Sequence, residues 1–290
     1  MTRALSLVLL LSCLSLLFGC TEDLSSPGEV KNLRILAIRA NSPMLAVGQR
    51  TELDALVVDV AGADISLSWE VCPFTRGSSE DFACDYPDGT PASLKAELSG
   101  SGDTFAFVYS DALAGYVQSV CSQSVELSDL LPEGITLSNC SPGVDMEVRL
   151  VARSSAGEER IATKSLTLLP PITKPGPPIQ LNHNPRIASL DFEGGESVSS
   201  EAKLVRCDID AAFIETTHSN PKATPKEEFT EIAWYARDAT LKRERSAYQT
   251  DYLEPDEAMQ NRITPTGEHP TVWCVIVDGR GGVDWAEMAF

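Results

Sequence analysis

Five of the nine residues 170–178 (PPITKPGPP) are proline. Neither a helix interior nor a central strand accommodates such a run, so the chain folds as separate halves on either side of it. Similar parts recur in each half in the same order. The first half opens Asn32–Arg39 (NLRILAIR) and the second Asn184–Leu190 (NPRIASL). Each then crosses a Gly/Ser turn into a run whose every second residue is apolar, Arg50–Val60 (RTELDALVVDV) and Glu201–Asp210 (EAKLVRCDID). A Trp-bearing segment follows, Ile65–Val71 (ISLSWEV) and Glu231–Ala236 (EIAWYA). Each half closes on a hairpin: Met146–Arg153 turns through 154–157 into Glu159–Leu169, and Thr271–Val277 turns through Asp278–Gly282 into Val283–Phe290. A period of two is the mark of strands, and no segment longer than about ten residues carries a period of 3.6. The expectation is an all-β chain of two tandem antiparallel β-sandwiches, over residues 31–169 and 184–290, with residues 170–183 as a stiff linker.

Charge removes one class of partner. The 290 residues carry 23 Lys+Arg against 42 Asp+Glu, a net charge of −19. Such a chain repels phosphate backbones and anionic headgroups unless a local basic patch intervenes. Leu241–Arg245 (LKRER) is the one basic run, too short to offset the rest. No nucleic-acid partner is expected.

The N-terminus supplies an address. After Met1-Thr2-Arg3 the chain is apolar from Ala4 to Phe18, shorter than the about 20 residues of a membrane-spanning helix and shaped like a secretory signal peptide. No other segment is long and apolar enough to span a bilayer. The run ends Leu17-Phe18-Gly19-Cys20, which resembles the lipobox of bacterial lipoproteins, although Phe18 is bulkier than that family usually has. The resemblance implies removal of residues 1–19, acylation of Cys20, and a flexible tether over residues 20–30. Thr21 in place of Asp implies, within that family, the outer membrane, on a periplasmic or an exterior face. The membrane is then a partner through the anchor, since two or more acyl chains at about 0.8 kcal/mol per buried CH₂ hold stably.

Cysteine counting agrees with export. Cys13 leaves with the leader and Cys20 takes lipid, so Cys72, Cys84, Cys121, Cys140, Cys207 and Cys274 remain, an even six. Six allow 15 pairings. Proximity favours 72–84, 121–140 and 207–274. A zinc site is the competing reading, but no CxxC occurs and His183, His218 and His269 stand at no ligand spacing from Cys.

Cys207, Trp234 and Cys274 follow one another as in an immunoglobulin core, where a disulfide joins two sheets against a Trp. The long Cys-to-Trp spacing is an insertion, the polar stretch Thr216–Glu228. The pairs 72–84 and 121–140 read as loop clamps. With Leu33–Arg39 (LRILAIR), Leu67–Cys72 (LSWEVC) and Val275–Val283 (VIVDGRGGV), the chain resembles bacterial envelope lipoproteins with tandem immunoglobulin-like or PKD-like domains. The resemblance implies a surface or periplasmic scaffold with an envelope protein as partner, and transfers no site.

Candidate chemistry is thin. Asp208, Asp210 and Asp278 are the sharpest set for a calcium ion, but the first two alternate with Cys207 and Ile209 and so face solvent, and Asp278 opens an Asp-Gly turn. Glu227 and Glu228 read as a solvated loop rather than a glycosidase pair. No G-x-S-x-G, P-loop, Rossmann or HExxH pattern occurs, and the three His sit in loops. Trp69 and Trp234 are expected in the cores, whereas Trp273 and Trp285 form either an exposed aromatic patch or a contact between domains. No catalytic residue, metal site or cofactor is assigned. The expected role is a non-enzymatic scaffold or protein-interaction module, with a carbohydrate- or calcium-binding module as the alternative.

Overall fold

In a computed structural model, which describes residues 26–86, 89–122, 143–169, 181–193, 201–217, 226–248 and 255–290, alternating burial marks several of the longer strands. Cys20, the leader, His218, residues 170–180 of the linker and the Cys121–Cys140 pairing lie outside these residues.

The first module contains β1 (Arg34–Ala40), β2 (Met44–Leu45), β3 (Arg50–Val58), β4 (Ile65–Cys72), β5 (Phe74–Thr75), β6 (Cys84–Asp85), β7 (Ser99–Ser101), β8 (Thr104–Val108), β9 (Val144–Ser154) and β10 (Glu159–Leu168). They form one sheet in the order β1-β3-β8 and another in the order β2-β10-β9-β4-β7. Pairing is antiparallel except where β2 joins β10 in parallel. Between the sheets lie fully buried Trp69, Phe107, Leu150 and Leu53. Cys72 and Cys84 are bonded and clamp the small β5–β6 hairpin.

The second module contains β11 (Ile187–Phe192), β12 (Lys203–Ile209), β13 (Thr216–Thr217), β14 (Lys226–Glu227), β15 (Thr230–Arg237), β16 (Ala239–Leu241), β17 (Arg245–Tyr248), β18 (Gln260–Pro265), β19 (Thr271–Asp278) and β20 (Val283–Ala289). The orders β11-β12-β18-β16 and β17-β15-β19-β20 reproduce the four-plus-three strand logic of immunoglobulin-like sandwiches, with one added edge strand. Cys207 on β12 is bonded to Cys274 on β19 with Cα atoms 6.5 Å apart, and Trp234 on β15 is fully buried in the same core. The all-β, immunoglobulin-like expectation is met, except that Asp111–Ser122, where no helical period was expected, is a 12-residue helix packing Leu113 and Val117 into the first core. The insertion before the Trp strand folds back as the β13–β14 hairpin.

β19 departs furthest from alternation. β19 is buried at seven of its eight positions, a pattern suited to a strand covered on both faces. Val272, Cys274 and Ile276 point into the module's own core. Trp273, Val275 and Val277 point the other way, against β1 and β3 of the first module. The modules are therefore stacked face to face, and four sheets lie in layers. The packed faces fix their relation.

A β-bulge makes this possible. The β1–β3 register shifts between Ile35 and Ala37. Ile35 and Ile38 stay with the first core while Leu36 and Ala37 both face the second module. An extra residue on one strand re-aims its side chains in this way. β11 carries the same irregularity between Ile187 and Ser189.

The tether is shorter than the sequence implies. Residues 26–30, read as part of a flexible segment, dock on the second module. Where β17 ends, the backbone of Gly28 and Val30 exchanges hydrogen bonds with Ala236 of β15, each 2.8 Å. Val30, 2% exposed, packs with Leu36 and Trp273. A Cβ on residue 28 would lie 2.8 Å from Leu241 Cδ1 and 3.0 Å from the Trp234 carbonyl, so a side chain here would crowd the β15 backbone.

Candidate functional site at the junction between the modules

The apolar part of the junction is built from alternate residues of β15, β19 and β20 set against the bulge of β1. Trp273 is 2% exposed and its indole N–H donates to Glu287 at 2.9 Å. Trp273 and Trp285 thus belong to the contact between modules rather than to an exposed patch.

Charged groups ring this apolar centre. Arg39, next to the bulge, holds Asp54 of its own module through two nitrogens, at 2.7 and 3.2 Å, and Asp284 of the other module at 2.7 Å. Its guanidinium lies over the Trp285 ring, 4.1 Å from the centroid. Asp284 uses its other oxygen to accept from the Ile187 backbone at 2.8 Å. Asn184 donates to the Ala40 carbonyl at 2.8 Å and accepts from Val283 N–H at 3.1 Å. Arg34 adds a second cation–ring contact, 5.1 Å from the Tyr235 centroid.

At one end of the junction a buried polar cluster surrounds the β19–β20 turn. Asp278 is 7% exposed and accepts from the backbone N–H of Arg280 and of Gly282, at 2.8 and 2.7 Å, and from the Asn182 amide. The Asp-Gly turn expected from sequence is present, but Asn182, assigned to the linker, is buried against it. Arg280 bonds Glu228 at 2.7 Å and also pairs with Glu215. Glu215 in turn meets His183 Nδ1 at 2.6 Å. Glu228, expected on a solvated loop beside Glu227, is 5% exposed. Burial raises its carboxyl above the usual range, and the Arg280 bond offsets part of that rise.

Lys164 closes this end from the first module. Opposite Val148 in the β9–β10 ladder, it lies on the core side of β10, at a point where β10 has no second neighbour. Its ammonium bonds the Gly281 carbonyl across the junction. Burial lowers its pKa to about 8, against the pull of Asp278 and Glu147. An inward lysine on an edge strand blunts unwanted strand pairing; here it also latches the turn of the other module.

A cleft of about 370 Å³ opens beside the latch, lined by Met44, Asp145, Ser165, Thr167 and residues 279–281. Its hydroxyls have no His neighbour among these lining residues, and its one guanidinium is already held by two carboxylates. Among the described residues no group of three or more His, Cys, Asp or Glu could hold a metal ion. Asp208 is paired with Arg206, and Asp210 caps the turn of Ala211–Phe213 by accepting from Ala212 N–H at 3.0 Å. The arrangement joins, orients and stiffens the two modules. Sequence reasoning missed Lys164, Arg39 and Asn182. Only the uninterrupted apolar run of β19 signalled a second buried face.

No protein-family model matches the chain, and no curated protein matches it. Among solved structures it is similar to a dimeric latent PorU from Porphyromonas gingivalis, at 13% identity over 89% of this chain and 24% of that one, with a TM-score of 0.25. It is similar also to a titin I-band fragment, at 12% identity over 90% and 65% with a TM-score of 0.21, and to a Dscam isoform, at 10% over 89% and 50% with a TM-score of 0.21. The chain spans less than two thirds of the length of each. At such scores the immunoglobulin-like assignment stands on the chain's own strand order and its Cys207–Trp234–Cys274 core.

Proposed function

We propose that this chain is a lipid-anchored protein of the bacterial cell envelope, held in the outer membrane through Cys20, which acts as a non-enzymatic scaffold for an envelope protein. The observation carrying this reading is the two-sided burial of β19. It makes two sandwiches one stiff block, as a display scaffold requires, where a hinge would serve a closing enzyme. Two disulfides at Cys72–Cys84 and Cys207–Cys274 fit an oxidising compartment. The side chains that a sugar platform would need, Trp273 and Trp285, are occupied by the junction.

The test is cross-linking in intact cells followed by purification and mass spectrometry, with a Cys20→Ser control. A reproducible envelope protein, lost with the anchor, is the expected result. An unlipidated Cys20, or a lipidated protein that captures no protein partner, overturns it.

A further inference from the structure

We infer that Lys242 and Arg262 form a docking surface for the anionic phosphate headgroups of the bilayer that anchors Cys20. The inference rests on that anchor and adds an orientation to it. LKRER is the one basic run in a chain of net charge −19, and the fold carries it to the place where the tether joins the structure. Ser26 Oγ donates to Glu244, and Gly28 packs against Leu241 and Glu244. Only residues 21–25 separate Ser26 from Cys20, so Ser26, which touches Glu244 of this run, stays within about 20 Å of the anchored cysteine.

Within the run the charges are not equivalent. Arg243 is paired with Glu257 at 3.1 Å, and Arg245 with Glu231. Lys242 is exposed and has no carboxylate partner among the described residues; the same holds for Arg262. These two stand directly opposite each other. The β16–β18 ladder ends at Leu241 and Ile263, and one step beyond it Lys242 N–H donates to the Arg262 carbonyl at 2.9 Å. Two cations facing each other across a ladder repel. Such a pair is stabilised by an external anion, and headgroup phosphates attract each Lys or Arg enough for about a fivefold gain in docking. A block otherwise repelled by an anionic leaflet would thereby rest on it through one end of β16 and β18.

The test uses the full acylated protein in phosphatidylcholine vesicles with and without about a third phosphatidylglycerol, labelled briefly with an uncharged acetylating ester and read by mass spectrometry. Lys242 should acetylate several-fold more slowly on the anionic vesicles, with the difference removed by high salt and reduced about fivefold at most by Arg262→Gln. Lys95, exposed in the first module, serves as the internal reference. Equal labelling of Lys242 on both vesicles, or slowing no greater than that of Lys95, overturns the docking while leaving the anchor intact. Failure of the protein to float with neutral vesicles overturns the anchor, and the docking with it.

Discussion

Arg39 of the first module lies over Trp285 of the second, 4.1 Å from the ring centroid, while its nitrogens hold Asp54 and Asp284. Only a planar fork can stack and pair in three directions at once, so lysine is a poor substitute. Arg39→Lys should destabilise by about 1–3 kcal/mol. A double-mutant cycle with Trp285→Ala should return a coupling of about 1 kcal/mol. Additive effects in urea unfolding would mean that the stacking contributes nothing.

Trp273 is the anchor of the apolar junction, packed with Val30 and Leu36, and its removal leaves a void there. Trp273→Ala should cost about 3–5 kcal/mol. It should also divide unfolding. The wild-type protein should melt in one transition by calorimetry, because its modules share a buried face, and the variant in two. Two transitions already in the wild type would show that the junction does not couple the modules.

How much of this was legible in the sequence differs by level. The sandwiches were, because alternation at Arg50–Val58 and Lys203–Ile209 and the order Cys207, Trp234, Cys274 are local signals. The stacking was not. It depends on a one-residue bulge at Leu36–Ala37, which leaves the composition of β1 unchanged while turning two side chains outward. Lys164 shares its alternation phase with Leu166 and Leu168, so its inward direction was legible, but its partner was not, because the Gly281 carbonyl is brought to it by the other module. Glu228 likewise looks solvated beside Glu227 until Arg280, distant in sequence, is placed against it. Serines and a glycine at 25–28 carry the composition of a tether, but Gly28 is there because a side chain would strike Leu241 and the Trp234 backbone.

That close approach makes residue 28 a sensitive position. Gly28→Val would drive a branched side chain into the Trp234 carbonyl and detach residues 26–30 from the edge of β15, exposing Val30 and breaking the two backbone bonds to Ala236. The expected loss is about 2–4 kcal/mol, from one buried Val and two hydrogen bonds. Limited proteolysis should then cut near residue 30 in the variant and not in the wild type. Equal resistance would show that the strap tolerates the side chain.

Lys164 gives the junction a pH dependence whose sign is fixed by burial. Its pKa is lowered from the ordinary 10.5 to about 8. Between these values the unfolded chain keeps a proton that the folded protein has shed, so stability rises with pH across the window and is lost as pH falls through about 8. The full swing is on the order of 3 kcal/mol. Below pH 8 the folded protein holds a buried ammonium, stabilised by the Gly281 carbonyl and the nearby Asp278 charge. Lys164→Met keeps the aliphatic length and removes the titration. Urea unfolding at pH 7.5 and pH 10 should show the wild type gaining stability relative to this variant, since every other titrating group is common to both. Parallel pH profiles for the two proteins would mean that Lys164 titrates as a solvated lysine and that the latch is held by shape alone.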